Sequence, residues 1–85
     1  MNVKVLYFAR LREQFGIGEE TVELPDGAVM VAMLLDVLRA RGGVWAEQLA
    51  VGKAYRVAVN QDLVDQVAPI EAGDEIAIFP PVTGG

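Results

Sequence analysis

The stretch Val29-Met30-Val31-Ala32-Met33-Leu34-Leu35-Asp36-Val37-Leu38-Arg39-Ala40-Arg41 sets the architecture. It is the longest segment with helical spacing. Met30, Met33, Leu34, Val37 and Leu38 fall at i, i+3, i+4, i+7 and i+8, which puts them on one stripe of a helix over 29–41. On this reading the methionines are core filler. Gly42-Gly43 ends the helix, and Arg39 and Arg41 suit the negative C-terminal end of its dipole. The start is weakly marked: Val29 is a poor cap, and Asp26 is placed to cap only a longer helix.

Short alternating segments surround this helix. Residues 3–8 alternate as a strand, with Val3, Val5 and Tyr7 on one face and Lys4, Leu6 and Phe8 on the other. Residues 9–15 read as a short helix, pairing Leu11 with Phe15 and stopping at Gly16. Residues 20–24 form a second strand, with Val22 and Leu24 inward, before a turn at Pro25-Asp26-Gly27. Residues 44–50 make another helical piece, with Trp45 and Leu49 at i, i+4. A strand over 55–59 turns at Asn60-Gln61 into a short strand at 63–64. Residues 69–74 read as a loop and 75–79 as the last strand, which Pro80-Pro81 ends because neither proline can donate to a ladder. One long apolar helix among short strands predicts an α+β fold, a mixed sheet packed on one main helix. The order of elements, the length of 85 residues and the Gly84-Gly85 end together resemble the β-grasp, ubiquitin-like superfamily. The expected division is a domain over 1–79 and a flexible tail over 80–85.

Composition narrows the chemistry. The chain has no Cys, no His and no Ser; Thr21 and Thr83 are its only aliphatic hydroxyls. Serine–histidine and cysteine–histidine catalysis are excluded, as are zinc sites built on His or Cys. A site made of carboxylates alone stays open, but no clustered acidic motif supports one, so no metal and no catalytic residue is assigned. Gly16-Ile17-Gly18 lacks the third glycine and the following lysine of a phosphate-binding loop. The net charge of −5 argues against a nucleic-acid surface and fits a partner with a basic docking site. It equally fits an acidic surface that only maintains solubility. No apolar run approaches the ~20 residues of a membrane span. The first residues alternate like a strand and have no signal-peptide core, so the expected location is the cytoplasm.

What remains reactive is the end, Phe79-Pro80-Pro81-Val82-Thr83-Gly84-Gly85. At average glycine usage, two terminal glycines arise by chance in roughly 0.5% of chains. A diglycine carboxylate has no side chain near it, so a narrow tunnel can admit it. Its pKa of about 3.3–3.7 leaves it ionised at neutral pH and therefore a poor acyl electrophile. Activation as an acyl-adenylate made from ATP solves that; sulfur then gives a thiocarboxylate and an amine gives an amide. Nothing in the chain is built to bind ATP, so the activating machinery belongs to a partner.

Alternation also exposes a sheet face. If Val57, Val59, Ile76 and Ile78 face the core with Val3, Val5 and Tyr7, the other face carries Leu6, Phe8, Ala58, Ala77 and Phe79 between Lys4, Arg56 and Glu75. Large aromatics among small residues suggest a binding patch. The alternative is that Phe8 and Phe79 close over the edge of the core. Six residues follow Phe79, and at ~3.3–3.6 Å each they reach roughly 20 Å.

Three segments are more specific: Val3-Lys4-Val5-Leu6-Tyr7-Phe8-Ala9-Arg10-Leu11-Arg12-Glu13, Val57-Ala58-Val59-Asn60-Gln61, and Gly73-Asp74-Glu75-Ile76-Ala77-Ile78-Phe79 with the Pro-Pro-Val-Thr-Gly-Gly end. Together they resemble the small, sulfur-carrying subunits of molybdopterin synthase. The resemblance implies that an E1-like adenylyltransferase activates Gly85 with ATP and that a sulfur donor protein supplies the thiocarboxylate sulfur. It implies that the tail, Pro80 to Gly85, then enters the large synthase subunit and gives sulfur to cyclic pyranopterin monophosphate in a heterotetramer. The matching interface positions are Phe8, Leu63 and Phe79, beside Leu6 from the alternation. Val29 departs from the Thr or Ser that often caps the helix in such proteins, at a cost of about 1 kcal/mol. Other readings share the need for Gly85: a carrier for thiamine, cysteine or tRNA thiolation, or a ubiquitin-like modifier of lysines. A binding module with an inert tail is the remaining alternative.

Overall fold

The first and last strands lie side by side. A computed structural model describes residues 1–81. In it β1 (Asn2–Tyr7) and β7 (Glu75–Phe79) pair in parallel, with Val5 opposite Ile76 and Tyr7 opposite Ile78. β2 (Glu19–Glu23) flanks β1 antiparallel; β4 (Arg56–Val59) and then β5 (Asp62–Val64) flank β7 antiparallel. The sheet order is therefore β2-β1-β7-β4-β5, and the sheet is mixed. Of the inward residues expected from alternation, Val3, Val5, Tyr7, Val22, Leu24, Val57, Ile76 and Ile78 are buried, and Val59 is half-buried against the core. At about 25 cal/mol per Å² of apolar area, this layer and the helix against it hold the fold together. The fold is the α+β mixed sheet packed on one main helix that the elements predict, in the β-grasp arrangement that their order, the chain length and the diglycine end resemble.

The connections agree in outline. α1 (Ala9–Phe15) ends at Gly16, whose φ of 76° gives the left-handed cap that glycine allows without strain. Asn60 and Gln61 both take positive φ, 49° and 74°, making the two-residue turn between β4 and β5. Gln61 is strained there. The turn is held by Asn60, whose Nδ2 donates to Asp74 Oδ1 at 3.0 Å and whose Oδ1 accepts from the Glu75 amide at 3.0 Å.

The main helix differs from expectation. α2 runs Val31–Arg39, and Val29–Met30 instead form a short strand β3 paired with β6 (Pro69–Ile70), inside what reads as a loop. The buried stripe is Val31, Leu34, Leu35 and Leu38; Met30, Met33 and Val37 are exposed by 37–39%. The segment is apolar on two adjacent stripes, so local pattern alone does not choose between them. Pairing of Val29 with Ile70 fixes where the chain turns into the helix, and so fixes the register. The methionines at 30 and 33 are not core filler.

The same pairing explains the poor cap. No side chain caps α2. The Val31 amide donates to the Ala68 carbonyl at 3.0 Å and the Ala32 amide to the Gln66 carbonyl at 2.9 Å. The loop before β6 thus satisfies the first orphan donors of the helix, and Val29, 3% exposed, is kept for packing. Asp26 accepts instead from the N-terminal ammonium at 3.0 Å.

Neither arginine at the end of α2 simply faces its own helix dipole. Arg39 donates to the Leu49 carbonyl at the end of α3 (Gly43–Gln48), to Asp36 and to Tyr55 Oη. Arg41 makes a two-pronged pair with Glu20, both contacts 2.8 Å, and stacks 4.4 Å from the Trp45 ring. Glu20 also accepts from Tyr7 Oη at 2.7 Å. Trp45 stacks on Phe15 at 3.9 Å, and both meet Tyr7 edge-on. This network joins β1, β2, α1, α3 and the segment that follows α2.

Burial, reinforced by the Glu20 acceptor, pushes the Tyr7 hydroxyl far above its ordinary range. Burial alone would raise the Glu20 carboxyl, but hydrogen bonds from Arg41 and Tyr7 outweigh it and hold it below the usual value. A depressed carboxylate contributes stability above its unfolded pKa, about 4.3, and loses it as pH falls through the folded value. Glu20→Gln is expected to cost about 1 kcal/mol at pH 7 and to flatten the loss of stability below about pH 4.3. Urea unfolding at a series of pH values measures both effects.

Candidate functional site

The outer face of the sheet is built in rows by strand register. Leu6 lies opposite Ala77, Ala77 opposite Ala58, and Ala58 opposite Leu63, so one apolar row crosses β1, β7, β4 and β5. Ala58 is buried yet stands outside the core cluster: as a small residue it is shielded within this row. The next row, toward the C-terminal ends of β1 and β7, holds Phe8, Phe79 and Arg56. Phe79 lies opposite Arg56, and the Phe8 amide donates to the Ile78 carbonyl at 3.3 Å. The row on the other side carries Lys4 opposite Glu75. The result is a shallow floor of two alanines between larger apolar side chains.

Phe8 is 45% exposed and Leu63 67%, whereas Leu6 and Phe79 are half-buried. Phe8 does not close over the core. It precedes α1 in extended conformation, and the chain then turns sharply through Ala9 at φ 51°. Leu6 and Phe8 also line one surface groove with Arg12 and Ile17.

Leu63 is not singled out by alternation along its own short strand. The signal for it is the Asn60-Gln61 turn. A two-residue turn pairs 59 with 62 and 58 with 63, which places Leu63 on the face of Ala58.

Pro80 and Pro81 leave β7 at the edge of this face and line a cavity of about 660 Å³ with Ala9, Arg10, Gln48, Lys53 and Ala54. The remaining tail residues of interest, Val82, Thr83, Gly84 and Gly85, lie outside the described residues. Among the described residues, no group of three or more acidic side chains is placed to hold a metal ion. No described helix is long and apolar enough to cross a membrane. The described residues therefore present an apolar outer sheet face beside the point where Pro80 leaves β7.

This fold and surface define a small ubiquitin-like β-grasp protein. The chain belongs to the ThiS family, whose model matches residues 5–85. It is 40% identical to the molybdopterin synthase sulfur carrier subunit of Haemophilus influenzae, over 98% of this chain and 99% of that one. It is 42% identical to the subunit of the same name from Escherichia coli, with the same coverage. Among solved structures, the putative molybdopterin converting factor subunit 1 of Pyrococcus furiosus superposes with a TM-score of 0.81 at 31% identity, covering 96% of this chain and 99% of that one. Small archaeal modifier protein 1 of Haloferax volcanii also gives 0.81, at 27% identity and with 95% and 98% covered. Subunit 1 in the complex of subunits 1 and 2 of the molybdopterin-converting factor from Helicobacter pylori gives 0.69, at 27% identity over the full length of both.

Proposed function

We propose that this chain is the sulfur-carrying subunit of a molybdopterin synthase, acting in the cytoplasm. The observation that carries the reading is the row Leu6-Ala77-Ala58-Leu63 beside Phe8 and Phe79, at the sheet end from which residues 80–85 depart. The curated relatives and the two-subunit complex from H. pylori support it. On this reading the outer face docks on the large subunit, and the tail from Pro80 to Gly85 enters that subunit.

The chemistry belongs to Gly85. An E1-like partner would bind ATP and direct a Gly85 carboxylate oxygen at its α-phosphorus, releasing pyrophosphate. Sulfide (HS−), released at the reduced level by a donor protein, would then attack the same carbon and displace AMP, leaving a thiocarboxylate. In the large subunit that sulfur passes to cyclic pyranopterin monophosphate, and two carriers in turn build the dithiolene. This chain supplies a docking surface and a reacting carbon; general acid and base groups come from the large subunit.

A second reading, ubiquitin-like modification of lysines, is favoured by the similarity to small archaeal modifier protein 1. Intact mass of the protein isolated from its own cells separates the two. The carrier reading expects one C-terminal oxygen replaced by sulfur. Recovery of Gly85 only in amide linkage to lysines of other proteins would overturn it.

A further inference from the structure

Four of the seven Lys and Arg side chains stand apart from the rest. Lys4, Arg39 and Arg41 are held by Glu19, Asp36 and Glu20. Arg10, Arg12, Lys53 and Arg56 are exposed and make no ion pair among the described residues. All four sit at one end of the sheet. Arg56 opens β4 opposite Phe79; Arg10 and Lys53 line a cavity together with Pro80 and Pro81; Arg12 lines the groove of Leu6 and Phe8. The opposite end is acidic. Glu23 closes β2 opposite Asn2, Glu75 opens β7, Asp62 opens β5, and Asp74 and Glu71 share the turn before β7. This end also carries carboxylates: Glu13, in a groove with Arg12; Glu19, opposite Leu6 and held by Lys4; Asp65, which follows Val64 opposite Val57; and Glu47 beside Gln48 on α3.

A chain with net charge −5 has more than enough carboxylates to pair its cations. Leaving four unpaired puts free cations around the point where Pro80 leaves β7. We propose that Arg10, Arg12, Lys53 and Arg56 form a basic collar that meets an acidic rim around the tail-receiving opening of the partner protein. This rests on the reading that the tail enters a partner. An acidic protein surface fits better than a polyanion such as nucleic acid or an anionic membrane, because the molecule's net negative charge opposes any extended anion. The collar is also continuous with the apolar floor through Phe79 and Arg56, so both would be covered by one docking event. Charges at such a rim act mainly on the rate of encounter, and salt screens them.

The test is stopped-flow association of the full chain with the large subunit of molybdopterin synthase at low and at physiological ionic strength. Two double variants change net charge equally: Arg10→Ala with Lys53→Ala at the collar, and Gln61→Glu with Ala72→Glu at the far end. The collar variant is expected to associate roughly fivefold or more slowly at low salt, with a weakened salt dependence and an unchanged melting temperature. The far-end variant should stay within about twofold of wild type, and Phe79→Ala should instead speed dissociation. Equal slowing by both double variants would reduce the effect to overall charge and overturn the collar. So would an unchanged or faster rate for the collar variant, while the carrier reading stood. A wild-type chain that did not bind the large subunit would overturn both.

Discussion

Deleting Gly85 is expected to abolish sulfur transfer, by at least roughly a hundredfold, while moving the melting temperature by no more than about 2–4 °C. The two halves of this expectation have separate causes. The core cluster extends no further along the chain than Ile78, and nothing after it is among the buried apolar residues described. Removing the last residue therefore leaves the packed layers as they are. The chemical half follows from length. A carboxylate on Gly84 is still activatable in principle, but on the proposed carrier reading it would end about 3.3–3.6 Å short of the position that Gly85 takes in the large subunit. Misplacement by about 1 Å can already cost a hundredfold in rate. The assay is dithiolene formation from cyclic pyranopterin monophosphate with the large subunit, after loading of the carrier. Retained product formation by the truncated chain would remove Gly85 from the reaction and the carrier reading with it.

The parts of this molecule that rest on a two-residue period are legible in its sequence. Val3, Val5 and Tyr7, and Ile76 and Ile78, face the core as alternation requires, because a strand in a one-sided sheet has no other way to bury them. The outer row follows from the same alternation once the Asn60-Gln61 turn fixes the register that brings in Leu63. The network of Tyr7, Glu20, Arg41 and Trp45 is not legible: its members are up to 38 positions apart, and only the antiparallel pairing of β1 with β2 and the return of the chain after α2 bring them together. The strand pair Val29–Met30 with Pro69–Ile70 is hidden for a related reason. Two residues make no period, and a proline in a short segment reads as loop. The collar illustrates a third limit. A net charge of −5 says that the chain is acidic, but it does not say that four cations without an ion pair among the described residues gather at one end of the sheet.

The register of α2 is the point at which local pattern and tertiary structure disagree, and two alanine substitutions separate them. Leu35 is fully buried, and Leu35→Ala is expected to cost about 2–5 kcal/mol, from lost transfer energy and the cavity left behind. A small domain has about 5–15 kcal/mol in total and shifts its melting point by about 4–8 °C per kcal/mol. The variant should therefore melt about 8–40 °C lower and sit near the limit of folding at 37 °C. Met33 is 37% exposed on the neighbouring stripe, so Met33→Ala removes few packing contacts and puts the best helix former in its place. Its expected cost is below about 1 kcal/mol. Thermal unfolding followed by circular dichroism compares them directly. A loss at Met33 equal to or larger than that at Leu35 would mean that the helix buries the stripe of Met30, Met33, Leu34, Val37 and Leu38. That outcome would also place Val29 at the helix start and break its pairing with Ile70, because one turn of the chain cannot satisfy both registers.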